Sequence, residues 1–95
     1  MPSDTERINL VNGTVIKVER SRNCHVTIVA TRGQNIIRLK AGKVSYRNMR
    51  EYTDLILLEI AKQSRKIGQN TLMMFAKPKT FFEFVSTLTY LNMLH

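Results

Sequence analysis

Tryptophan is absent from this 95-residue chain; cysteine occurs once, histidine twice and proline twice. A single cysteine, Cys24, excludes any internal disulfide framework and is compatible with a reducing compartment. The two histidines, His25 and His95, fall short of the four ligands at characteristic spacing that a structural zinc site needs. His95 is the last residue and is expected to be mobile. His25 follows Cys24 directly, but neighbours on a strand point to opposite faces. The pair is therefore expected to be a core cysteine beside a surface histidine, not a nucleophile and its base. Gly33, Gly42 and Gly68 are isolated, so no glycine-rich phosphate cradle is present. No apolar run approaches the ~18 residues that span a bilayer. The opening Met-Pro-Ser-Asp-Thr-Glu is polar and acidic and lacks the apolar core of a secretion signal. These absences predict a non-catalytic protein with no cofactor, metal or small-molecule substrate and no membrane association, cytoplasmic or nuclear in location.

Negative charge is also scarce. Seven Asp and Glu stand against fifteen Lys and Arg, for a net charge of +8. Such a balance favours a polyanionic partner, nucleic acid first. The aromatic residues are confined as well: every Phe and Tyr lies at or beyond Tyr46.

What is present reads as one α+β domain over residues 6–95, preceded by a flexible N-terminus, residues 1–5. Residues 6–46 alternate like an antiparallel meander of three to four strands. Arg7 to Val11 leads into Asn12-Gly13, a two-residue hairpin signal, and Thr14 to Glu19 returns. A strict two-residue loop sets Leu10 opposite Val15 but Ile8 opposite Lys17, so a bulge or longer loop is needed to match the apolar residues. Cys24 to Ala30 and Asn35 to Lys40 are the next strands, with Val26, Ile28, Ala30, Ile37 and Leu39 facing inward.

Residues 48–68 form the central helix. Asn48 and Glu51 make a capping box, Lys62, Arg65 and Lys66 suit the negative helix end, and Gly68 is expected as a left-handed C′ residue. Its apolar arc, which includes Tyr52, Leu55, Ile56, Leu57, Leu58 and Ile60, is wider than one stripe and predicts contacts on two sides. Residues 69–95 comprise an apolar connector and an amphipathic C-terminal helix over Phe81 to Met93, opened by a Thr80–Glu83 capping box. Strands followed by a long helix are similar in layout to the Whirly and purine-rich-element-binding proteins, which bind nucleic acid and pair through such units.

The excess positive charge belongs to the strand half. Lys17, Arg20, Arg22, Arg32, Arg38, Lys40, Lys43, Arg47 and Arg50 are the expected phosphate contacts. A sheet without aromatics offers no platform for stacking bases, which predicts contacts to backbone and shape, with duplex or structured DNA or RNA favoured. The other function class that fits is a small interaction subunit or adaptor with no nucleic-acid ligand. In either case the apolar C-terminal segment predicts an interface, most simply a homodimer built on Met73, Phe75, Phe81, Phe84, Leu88 and Leu91.

Overall fold

A computed structural model describes residues 4–95. Four strands, β1 (Asp4–Asn9), β2 (Val15–Arg20), β3 (His25–Arg32) and β4 (Asn35–Lys43), precede helix α1 (Met49–Lys66) and helix α2 (Phe81–Tyr90), with one 3-10 turn at Gln69–Thr71 between the helices. The strands pair antiparallel in the order β1-β2-β3-β4, which leaves β1 and β4 as edges. This is the α+β meander that the alternation implies. β1 begins at Asp4, so residues 4 and 5, expected in the flexible N-terminus, belong to the sheet; the rest of that expectation, residues 1–3, lies outside the described residues.

The first two turns share one geometry. Leu10 N–H donates to the Thr14 carbonyl at 2.8 Å, and Gly13 N–H donates to the Leu10 carbonyl at 3.1 Å. In the second hairpin Ser21 N–H donates to the His25 carbonyl at 2.9 Å, and Cys24 N–H to the Ser21 carbonyl at 3.0 Å. Both are three-residue loops whose last residue is left-handed, Gly13 at φ +92° and Cys24 at φ +63°. The pattern is a turn closed by a G1 bulge. The extra residue moves the first pairing by one place, so that Ile8 faces Ile16 and Arg7 faces Lys17. Val11, expected in the first strand, instead sits at the turn tip, fully exposed. Cys24, expected in the core, is a half-buried turn residue.

One sheet face carries Ile16, Val18, Val26, Ile28, Ala30, Ile37 and Leu39, all buried, and both helices cover it. α1 packs on β1, α2 on β4, and the helices on each other. α1 buries a single stripe, Met49, Thr53, Ile56 and Ile60, while Leu55 and Leu58 are about half exposed. The expected contacts on two sides are formed by the sheet beneath α1 and by α2, which lies beside it on the same sheet face. At the N-terminus Asn48 Oδ1 accepts from Arg50 N–H at 3.0 Å and Glu51 N–H at 3.3 Å. At the other end Ile67 and Gly68 are both extended, so the left-handed glycine cap is not used.

α2 is buried along most of its length, with Phe82 and Tyr90 left about half exposed. Its capping box forms in full, with Glu83 N–H donating to Thr80 Oγ1 and the Glu83 carboxylate accepting from Thr80 N–H. It stops at Tyr90, short of Met93, in a Schellman motif: Asn92 is left-handed at φ +56°, Asn92 N–H donates to Thr89 and Met93 N–H to Leu88. Phe84, Val85, Leu88 and Met93 are fully buried against the sheet and α1. The opposite side is closed by residues 71–75. There Phe75 N–H donates to Thr87 Oγ1 at 2.9 Å, and Ser86 Oγ donates to the Thr71 and Met73 carbonyls at 3.3 Å. Every buried polar group on α2 therefore has a partner within the chain, as its desolvation demands. His95, expected to be mobile, lies with Nε2 3.2 Å from Ser64 Oγ. Among the described residues no helix is long and apolar enough to cross a membrane.

Candidate nucleic-acid interface

The face of the sheet turned away from the helices is set by register. Because Ile16 and Val18 point inward, Lys17 points outward, and pairing places Arg7, Lys17, Val29 and Arg38 in one row across all four strands. The next row is Thr5, Glu19, Thr27 and Lys40, and beyond a one-residue bulge at Ala41, His25 pairs with Lys43. Facing side chains on adjacent strands are about 5 Å apart, and successive rows about 7 Å apart. Five cations (Arg7, Lys17, Arg38, Lys40 and Lys43) thus share a face on which Glu19 is the one carboxylate among the described residues. Glu19 holds Lys17 at 3.1 Å, both side chains about one-third exposed. Val29, on this outer face, is 7% exposed although no helix covers it. Its flanking residues in register are Lys17 and Arg38, residue types whose alkyl stems can cover an apolar neighbour.

The face continues around the β4 edge. Segment 76–79 runs beside β4, and Arg38, Lys40, Lys77 and Lys79 line a groove of about 690 Å³ completed by Ile36, Ala76 and Pro78, with no carboxylate in its wall. Pro78 is buried, which anchors the segment that presents both lysines. Lys77 and Lys79 were not expected at the site, since they lie in the near-neutral helical half of the chain; nor was Arg7. Only the register, which sequence alternation left open, puts Arg7 in line with Lys17.

The nine expected phosphate contacts therefore divide. Lys17, Arg38, Lys40 and Lys43 share the outer face. Arg22, at the tip of the β2–β3 turn, and Arg47, ahead of α1, are exposed near the end of the sheet where β4 finishes. Arg20 points to the helix side, where its guanidinium meets Asp4 Oδ2 at 2.6 Å and donates to the Tyr46 carbonyl. Arg32 donates to the Asn92 carbonyl at 2.6 Å and ties the end of α2 to β3. Arg50 lies in the first turn of α1 near Glu6 and Asp54, on the helix layer. Arg20, Arg32 and Arg50 are thus separated from the outer face, and the first two are engaged in holding the fold together.

The six expected interface residues divide similarly. Phe84 and Leu88 are fully buried within the chain, which removes them from any surface. Phe75, Phe81 and Leu91 are half-buried, and Met73 is 55% exposed. Tyr46 and Tyr52 pack ring to ring at 5.2 Å, beside the start of α1. Burial, and then the neighbouring Tyr46, raises the Tyr52 phenol above its ordinary value.

No family model, curated protein or solved structure matches the chain. The functional reading accordingly rests on this geometry.

Proposed function

We propose that the protein is a non-catalytic nucleic-acid-binding module that grips the phosphate backbone with the outer face of its sheet and the β4 edge. The observation that carries this reading is the register row Arg7–Lys17–Val29–Arg38 with Lys40 and Lys43 beside it, five cations on one face against one carboxylate. Spacings of about 5 to 10 Å between these charges allow several backbone phosphates to be met at once. Each phosphate neutralised releases counterions, so affinity falls with salt at a log–log slope of roughly −0.9 per contact on duplex DNA and −0.7 on single strands. The reading includes pairing of two copies through Met73, Met74, Phe82 and Tyr90, the large apolar side chains that α2 and its covering segment leave exposed.

Fluorescence anisotropy with single- and double-stranded DNA and RNA across a salt series tests the reading. Binding should weaken steeply with salt, and the double variant Arg38→Glu, Lys40→Glu should lower affinity at least tenfold while its thermal melt is unchanged. Arg20→Ala is the matched control: it should lower the melting temperature and leave the salt slope intact. Absence of association with all four polymers at low salt leaves the basic face to an acidic protein partner.

A further inference from the structure

On the far side of Lys40 and Lys79 from the edge groove lies a second, apolar one. It occupies about 510 Å³ between α1, β4 and the start of α2. Its floor is Ile28, Leu39 and Ile56, all buried core residues, and its walls include Tyr52, Leu55 and Phe81. Lys40, Lys62 and Lys79 stand on its rim with Glu59. Lys40 and Lys79 line both cavities, so the four-cation groove and the apolar groove are adjacent and share a wall of ammonium groups.

We infer that this pair of cavities is a single-strand subsite in which one unpaired base enters the apolar groove against Phe81 and Tyr52, while its flanking phosphates lie on Lys40 and Lys79. The assignment rests on the nucleic-acid reading and narrows it. The outer sheet face carries no aromatic side chain among the described residues, which by itself favours backbone contacts alone. Phe81 and Tyr52 supply the missing rings, placed around the edge of the sheet next to the cation track. A base in a duplex is stacked and paired and does not reach such a groove, whereas a base in a single strand splays out at little cost. The charge pattern points the same way. Four cations without a carboxylate run past the mouth of the groove, which suits a succession of phosphates better than the one headgroup of an amphiphile. Glu59, the one carboxylate among the lining residues, is available to meet a base edge.

The test uses the full chain with a short oligothymidylate, the same sequence as a duplex, and thymidine 5′-monophosphate. The single strand should bind more tightly than the duplex at equal salt. Phe81→Ala should weaken single-strand binding about 5- to 150-fold, the range for loss of one stacked base, with duplex binding unchanged; Phe81→Trp, which keeps a ring, should retain it. Because Phe81 is half-buried, Leu55→Glu on the exposed wall provides a second variant with the same expected selectivity if Phe81→Ala melts early. Methyl and ring resonances of Leu55 and Tyr52 should move on titration with the mononucleotide. Equal binding of single strand and duplex, indifferent to Phe81 and Leu55, overturns the subsite and leaves the basic-face reading in place. If neither of these DNA forms nor the corresponding RNA forms bind, the basic-face reading fails, and the mononucleotide titration alone decides the groove: unmoved Leu55 and Tyr52 resonances overturn it. Movement with dodecyl phosphate but not with the mononucleotide assigns the groove to an amphiphile and overturns it equally.

Discussion

A guanidinium has five donors and no acceptor, so where an arginine points decides whether it is surface or scaffold. In the sequence Arg20, Arg32, Arg38 and Lys40 read alike, as cations in or beside strands. The fold separates them by one residue of parity: Arg20 faces inward with Val18 and finds Asp4 and the Tyr46 carbonyl, while Arg38 faces outward with Lys40. Parity within each strand was legible from alternation. The partners of Arg20 and Arg32 were not, because they come from the strand β1 terminus and the chain segments ahead of α1 and after α2, which no local pattern brings together. Tyr52 is a similar case, expected in the core and found half-buried under the Tyr46 ring. Its phenol is raised above the usual value near 10 by burial first and Tyr46 second. The charged form is the one disfavoured, so the folded state holds the proton more tightly than the unfolded chain. That stabilisation is full below the unfolded value and is lost as pH rises through the folded one. Denaturant midpoints measured upward from about pH 9 should fall, and Tyr52→Phe should flatten the decline relative to wild type. An identical decline in Tyr52→Phe would assign the loss to lysine deprotonation instead.

At the scale of elements, the strands and helices were readable and their joints were less so. Helix α2 declared itself through Thr80 and Glu83 and through apolar residues three and four apart, and its capping box forms in full. Its end was overestimated, since Leu91 to Leu94 continue the apolar pattern while Asn92 turns left-handed and stops the helix. The Asn12-Gly13 pair suggested a two-residue turn, but matching Ile8 with Ile16 requires an odd loop, and burial of the apolar row outweighs the local preference. The second hairpin repeats that loop with Cys24 where the first has Gly13, a replacement that sequence similarity between the turns does not reveal. Left-handed backbone costs an L-residue about 1–2 kcal/mol, and glycine almost nothing. Allowing for glycine's greater freedom in the unfolded chain, Cys24→Gly should stabilise the protein by about 0.5–1 kcal/mol, read as a higher urea midpoint with unchanged m-value. A lower midpoint would mean that the half-buried thiol contributes packing that exceeds the relief of backbone strain.

For the whole molecule the decisive feature is how the C-terminal apolar residues are used. Read as sequence, Leu72 to Leu94 holds more apolar side chains than a small sheet already covered by α1 has room to bury, which argued for pairing on Phe84 and Leu88. The fold makes room by laying α2 beside α1 on the same sheet face and by closing its outer side with residues 71–75, through hydrogen bonds from Phe75 to Thr87 and from Ser86 to Thr71 and Met73. Thr87 and Ser86 look like the polar stripe of a surface helix; they are fully buried because backbone groups of the connector, silent in any hydrophobic pattern, are their partners. α2 is consequently part of the one hydrophobic core, while Phe82 and Tyr90, one helical turn to either side of Ser86, remain about half exposed. The two roles separate by mutation. A carboxylate at a fully buried position is left uncompensated, a cost of several kcal/mol comparable with the whole stability of a domain this size. Phe84→Glu should therefore abolish the cooperative melt at every protein concentration. Phe82→Glu should melt as wild type does and, where two copies pair, sediment as a monomer. The opposite result, a folded Phe84→Glu monomer with a normal melt, would show that α2 meets a partner instead of its own sheet.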